Sequence, residues 1–197
     1  MAGKRLSTKK RREEILDIAL KIIYEEGFYN LTIRNIAEKT NISEAAVYRH
    51  FKNKKDIIDN LANLIFQESR FKYKDIKKYD PFELLEEIIF SQMREFAENP
   101  YITAITFQEE IFREYPDIKK KFNQHRDERE SFFSEIITVN QNRALISKSV
   151  DPETFALLFM GGIRMSILKW KSSNFSFSLG KEAEKIIKEL FKLLRKE

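Results

Sequence analysis

Residues 31–58 read LTIRNIAEKTNISEAAVYRHFKNKKDII. Two short segments with helical apolar spacing flank the turn Thr40-Asn41-Ile42, and each opens on a hydroxyl residue able to cap a helix. Thr32 precedes Ile36 and Ala37; Ser43 precedes a segment running from Glu44 to about His50. Asn41 tolerates the left-handed backbone that so tight a turn often needs. Two helices joined in this way make a helix-turn-helix, whose second helix can enter the major groove of DNA. The same stretch then sets Tyr48, Arg49, His50 and Phe51 against Lys52, Lys54 and Lys55. Phe51 is expected to plug a small core, while Tyr48 and His50 turn their polar ends outward toward phosphate. Lys54 and Lys55, at the start of a further helix capped by Asn53, add positive charge beside them.

The charge distribution points the same way. Residues 1–55 hold 13 Lys and Arg against 7 Asp and Glu, residues 56–197 hold 23 against 24, and the net charge is +5. A basic end joined to a neutral remainder is the electrostatic footprint of a nucleic-acid-binding module attached to a second domain. Lys4, Arg5, Lys9, Lys10, Arg11 and Arg12 read as a basic arm beside the helix-turn-helix, with Lys9 and Arg11 as its expected DNA contacts. The chain has no cysteine, which excludes disulfides, thiol catalysis and cysteine-ligated metals and makes a reducing cytoplasm the simplest home. No apolar run approaches the roughly 18 residues of a membrane span, so a soluble cytoplasmic protein is expected.

Beyond the helix-turn-helix, helix punctuation is legible. Ser7 or Thr8 caps a first helix with Ile15, Ala19 and Ile22 on one face, ended by Gly27. A fourth helix is expected from Asn53 to about Tyr79. Asp80-Pro81, Asn99-Pro100 and Asp151-Pro152 are helix starts, a cap followed by proline at the first helical position. Tyr115-Pro116 begins a long helix to about Gln141, and a final helix runs from about Lys181 to Arg195. The expected fold is all-α with about nine helices, divided into a helix-turn-helix domain over 1–52 and a second helical domain over 53–197.

Of 17 Phe, 15 follow residue 51. Phe66, Phe90, Met93, Phe96, Phe107, Phe112, Phe132, Phe133, Phe155, Phe159 and Met165 sit largely at helical spacing. Singly each reads as core; together they exceed the usual aromatic load, and helix bundles keep ligand cavities between facing helices. Gly161-Gly162 in mid-helix implies close backbone approach, across an interface or beside a pocket. No phosphate-cradling glycine loop or nucleophile motif is present, and His125 and Glu128, one helical turn apart with Glu109 and Glu110 elsewhere in the chain, reverse the Glu-x-x-His order of bundle metal sites. That stretch reads as a solvated charged face, so no metal, cofactor or enzymatic activity is expected.

The run over 31–58, preceded by ILDIALKIIYEEGF, resembles the TetR family of one-component transcriptional regulators over about a quarter of the chain, with Tyr48, Phe51 and Lys54 as its Tyr-x-x-Phe-x-x-Lys core. The resemblance implies that Thr32, Arg34, Tyr48, His50 and Lys54 contact operator backbone or base edges, with Arg34 the candidate for guanine. Ser43, Glu44, Ala45 and Ala46 stand at the base-facing start of the recognition helix, and Arg49 supplements them. Many relatives have glycine where this chain has Asn41. The resemblance further implies a carboxy-terminal ligand-binding and dimerisation domain, in which 151–174 and 181–195 supply the dimer helices. With the aromatic excess, the expectation is a homodimeric repressor released from double-stranded operator DNA by an apolar effector such as a fatty acyl chain or acyl-CoA, hence a link to fatty acid metabolism. Aromatic or cationic drug-like effectors are the competing expectation, and a helical-bundle metal-dependent enzyme the alternative of a different class.

Overall fold

The computed structural model describes residues 7–68, 75–107 and 109–195. Within them run ten α-helices and no strand: α1 Thr8–Glu26, α2 Ile33–Lys39, α3 Glu44–Tyr48, α4 Lys54–Glu68, α5 Pro81–Glu98, α6 Thr103–Thr106, α7 Glu109–Glu114, α8 Pro116–Asn142, α9 Pro152–Ser172 and α10 Leu179–Leu194. The caps are those the side chains dictate. The hydroxyls of Ser7, Thr32 and Ser43 accept from the amides of Lys10, Asn35 and Ala46, and the carboxylates of Asp80 and Asp151 accept from first-turn amides of α5 and α9. Asn53 Oδ1 likewise accepts from the Asp56 amide at 2.9 Å. Asn41 takes the left-handed conformation at φ 53°, as the turn between α2 and α3 requires.

Two boundaries depart from expectation. Asn99-Pro100 opens a 3-10 turn over Pro100–Ile102, followed by the short α6 and α7. The Asn99 amide is spent on the Glu95 carbonyl as the end of α5, and Pro116 limits α7 because a residue before proline disfavours the helical region. The fourth helix is described to Glu68, residues 69–74 lie outside the described set, and Asp75 then caps a separate 3-10 turn at Ile76–Lys78; α4 therefore does not extend to Tyr79. Gly161 has nothing within 4 Å of an added Cβ, and Gly162 would meet only Ile186 at 3.8 Å. Neither glycine is required by close packing within the chain.

The chain divides into two compact units, residues 1–68 with 101–122, and residues 69–100 with 123–197. In the first, Ile15 and Ile22 of α1, Val47 of α3, Phe51, and Ile57 and Ile58 of α4 are buried together with Phe28 and Leu31. Phe51 is 1% exposed, the plug its position suggested. Helix α6 packs on α1, where Tyr24 meets Tyr101 edge-on at 5.4 Å. In the second unit α5, α9 and α10 pack with the remainder of α8 around Leu85, Ile89, Phe133, Phe159 and Ile163. Burial of Leu179, Ala183, Ile187, Leu190 and Leu194 at three- and four-residue spacing seats α10 there. No helix among the described residues is long and apolar enough to cross a membrane.

Candidate nucleic-acid interface

Helix α3 is five residues long and its outer face is short. Ser43, Glu44, Ala45, Tyr48 and Arg49 are exposed, whereas Ala46 is buried. Ala45 is thus the alanine open to a groove, and Ala46 packs inward as part of the module's core. Tyr48 is 53% exposed, an aromatic with its hydroxyl free to meet backbone phosphate. The hydroxyls of Thr32 and Ser43 are engaged in capping, at 3.0 and 3.2 Å; a cap oxygen still has a second lone pair and its own proton for phosphate.

Arg34 projects from the first turn of α2, and its Nε donates to Glu38 Oε1 at 2.9 Å. Hydrogen bonding to Glu38, then the charges of Glu38 and Glu44, hold the guanidinium above its ordinary value. His50 follows α3 half-buried, with Nδ1 buried and without a hydrogen-bond partner. Burial, followed by the charges of Arg12, Arg49 and Arg11, lowers its pKa, so the imidazole is kept neutral at a place surrounded by guanidinium groups.

The lysines of α4 serve the module more than its rim. Lys54 Nζ lies 3.9 Å from the centre of the Phe28 ring, donates to the Phe28 carbonyl at 3.4 Å and stands 3.9 Å from Glu114. Burial lowers its pKa against the opposing pull of Glu114. Lys55 bridges Asp59 at 2.8 Å and Asp117 at 2.6 Å, and Lys121 reaches Asp59 at 2.5 Å. The two carboxylates raise the Lys55 pKa. Lys55 is therefore already occupied by acid groups of α4 and α8.

The amino-terminal basic cluster divides in the same way. Lys9 is open to solvent, with Glu13 at 4.0 Å, while Arg11 is half-buried against Glu14 at 2.5 Å. Arg12, expected in the arm, is turned into the module. Its guanidinium covers the Phe51 ring at 4.2 Å, donates to Asn60 Oδ1 at 2.9 Å and donates to the His50 carbonyl. Neither this staple nor the Asp59–Lys121 pair was visible in the sequence, since the partners lie 38 to 62 positions apart. Lys4 and Arg5 lie outside the described residues.

The aromatic residues expected at a ligand fall into two groups. Phe66, Phe107 and Phe112 belong to the first unit, where Phe66 and Phe112 each meet Phe122 edge-on at 4.8 and 4.9 Å. Phe90, Met93, Phe96, Phe132, Phe133, Phe155, Phe159 and Met165 belong to the second. There Phe133 packs on Phe159 at 4.7 Å and Phe155 stacks on Phe159 at 5.8 Å. Met93, Phe96, Phe133, Phe155 and Phe159 are buried, Phe90 and Phe132 half-buried, and Met165 is 58% exposed. A cleft of about 340 Å3 lies elsewhere in this unit, lined by Lys169, Phe177, Ser178, Lys181, Glu182 and Lys185. Among the described residues no three acid, histidine or cysteine side chains converge as a metal site would need.

Residues 15–61, which include the helix-turn-helix of this interface, match the family model of bacterial regulatory proteins of the TetR family. Over 171 residues the chain is 27% identical to the nucleoid occlusion factor SlmA of Aliivibrio fischeri strain MJ11, covering 85% of this chain and 87% of that protein. Its fold is similar to that of the fatty acid degradation regulator FadR from Bacillus halodurans, with a TM-score of 0.76 at 16% identity over 98% of this chain and 100% of the other. It is also similar to the transcriptional regulator FadR from Bacillus subtilis in complex with stearoyl-CoA, at 0.71 and 19% identity over 93% and 99%. A helix-turn-helix with capped α2 and α3 and an exposed reading face, together with this match over 15–61, gives the chain an amino-terminal DNA-binding module similar to that of the TetR family of bacterial regulatory proteins.

Proposed function

We propose that the chain is a homodimeric repressor, released from its operator by an apolar ligand with a long acyl chain. The observation that carries the ligand class is the aromatic layer of the second unit, Phe133, Phe155 and Phe159 with Met93 and Phe96, in a fold similar to that of a regulator in complex with stearoyl-CoA. Such a layer offers an acyl chain apolar contact along its length and gives a small polar metabolite few hydrogen-bonding groups. Dimerisation is supported by α9, where Leu157 and Met165, two helical turns apart and 65% and 58% exposed, flank Gly161 with Leu158 beside them. One five-residue reading helix makes too few base contacts for useful specificity, and two related by a twofold axis read half-sites about one helical turn, or a multiple, apart.

Coupling between ligand and DNA is placed on α4 and α8. Helix α8 contributes Phe132 and Phe133 to the second unit and Asp117, Lys121 and Phe122 to the first, where these hold Lys55, Asp59 and Phe66 of α4. Helix α4 follows directly on the reading module. A ligand that favours the arrangement poorer for DNA, with a coupling of about 1–3 kcal/mol, weakens operator binding about 5- to 150-fold.

The test is calorimetric titration of stearoyl-CoA into the protein with and without saturating operator, the operator first obtained by selection from random duplexes. Linkage requires the operator to weaken ligand binding by the factor by which ligand weakens DNA binding. Sequence-specific DNA binding by a dimer, with no response to acyl-CoA of any chain length, would overturn the sensor reading and leave a DNA-binding protein that works without an effector.

A further inference from the structure

Arg34 and Glu38 make an unusual pair for a surface helix. Both are well exposed, with side chains 79% and 61% accessible, and an ion pair so open to water adds little to folding. Its geometry is specific nonetheless. The bond to Glu38 uses the Nε–H alone, at 2.9 Å, and leaves the fork of terminal nitrogens free for another partner. A guanidinium offers five N–H donors in one plane, and guanine accepts two of them at O6 and N7. A carboxylate that holds Nε therefore fixes the plane of the fork while keeping its outer edge available. Glu44, the first residue of α3, adds a second negative charge near the same guanidinium.

Two carboxylates beside one arginine at a DNA-facing tip also bear on what the arginine avoids. Phosphate is the default partner of an exposed arginine and carries no sequence information. Phosphate oxygens brought near Arg34 approach Glu38 and Glu44 as well, and like charges repel. A guanine edge in the groove carries acceptor atoms without a full negative charge and incurs less of that repulsion.

We propose that Glu38 is a positioning residue for base reading: it orients the Arg34 fork toward a guanine edge and, with Glu44, discourages Arg34 from settling on phosphate. The inference rests on the DNA-binding reading of this face. Glu38 thereby sets specificity without touching a base. A glutamine in its place can still accept from Nε but carries no charge, whereas alanine does neither.

The experiment is selection of bound duplexes from a random pool by wild type, Arg34→Ala, Glu38→Ala and Glu38→Gln, with salt titrations on one random duplex and a thermal melt of each variant. Wild type is expected to enrich a G·C pair at one position per half-site. Arg34→Ala and Glu38→Ala should both lose discrimination there, about tenfold, with unchanged melting temperature. Glu38→Gln should keep the base preference but bind the random duplex about three- to tenfold more tightly, with a salt slope steeper by about one unit as Arg34 gains a phosphate contact. If both Glu38 variants select the wild-type motif with wild-type discrimination while Arg34→Ala does not, the assignment of Glu38 is overturned and the DNA-reading face stands. If wild type enriches no sequence, both fall.

Discussion

Replacing Arg12 separates a structural role from a DNA-binding one. In the folded module the guanidinium lies 4.2 Å over the Phe51 ring and donates to Asn60 Oδ1 and to the His50 carbonyl. It thus ties α1 to the end of α3 and to α4. Hydrogen bonds from a charged donor contribute about 1.5–3 kcal/mol each when shielded and less at a surface; a cation over an aromatic face adds about 0.5–1. Both acceptors regain water once the arginine is gone, so the lower end applies. Arg12→Ala should cost about 2–3 kcal/mol, which for a chain of this length lowers the melting temperature by about 5–10 °C. Arg12→Lys retains charge without the planar fork and should recover little of that loss, since a single ammonium cannot cover Phe51 and reach both oxygens at once. Urea melts give the free energies, and salt titrations on a random duplex give the phosphate count for each variant. A loss of under about 0.5 kcal/mol in Arg12→Ala, accompanied by a salt slope reduced by about one unit, would refute the staple and return Arg12 to the basic arm.

Lys54→Ala should cost about 1 kcal/mol of stability through its lost contact with the Phe28 ring and should change the salt slope by well under one unit, because the ammonium faces Phe28 and Glu114; a full-unit change in salt titrations would show that it swings to phosphate. At Asp117, the Lys55 hydrogen bond keeps the carboxylate below its ordinary range, and at Asp59 burial pulls upward but the bonds from Lys121 and Lys55 outweigh it. Both carboxylates thus ionise at lower pH in the folded state, so the stability they supply is complete above the ordinary carboxylate value of 3.8 and disappears as pH falls below it. Urea melts across the acid range should show this limb flattened in Asp59→Asn/Asp117→Asn. Burial lowers the pKa of His50 and of His125 from the ordinary 6.5, so just below that pH the unfolded chain binds more protons and stability should rise with pH; replacing both by glutamine should remove the slope. Operator phosphate near His50 acts oppositely, and DNA binding should tighten as pH falls through the same window, with the dependence absent in His50→Gln.

Local chemistry was legible from the residues alone. Ser7, Thr32, Ser43, Asn53, Asp80 and Asp151 mark their helix starts because a cap is decided within three positions of the chain. Asn41 marks its turn because few side chains tolerate positive φ, and Phe51 its core because a large apolar ring amid lysines has nowhere else to go. These signals suffice for a helix-turn-helix and for which end of the chain meets DNA. They do not distinguish one cation from another. Lys9 and Arg12 stand three positions apart in one basic run, yet one is open to water and the other is spent on Phe51, Asn60 and His50. Lys54 and Lys55 are adjacent, yet one covers an aromatic ring and the other bridges two carboxylates. Whether a lysine or arginine serves DNA or the fold depends on which acids and rings reach it from distant segments, such as Glu114, Asp117 and Lys121. Ala45 and Ala46 show the same limit in miniature, because one position of helical phase puts the first outside and the second in the core. Charge pattern and capping are local or additive properties that a sequence carries openly; the partner of each charge is a property of packing, and only the folded chain decides it.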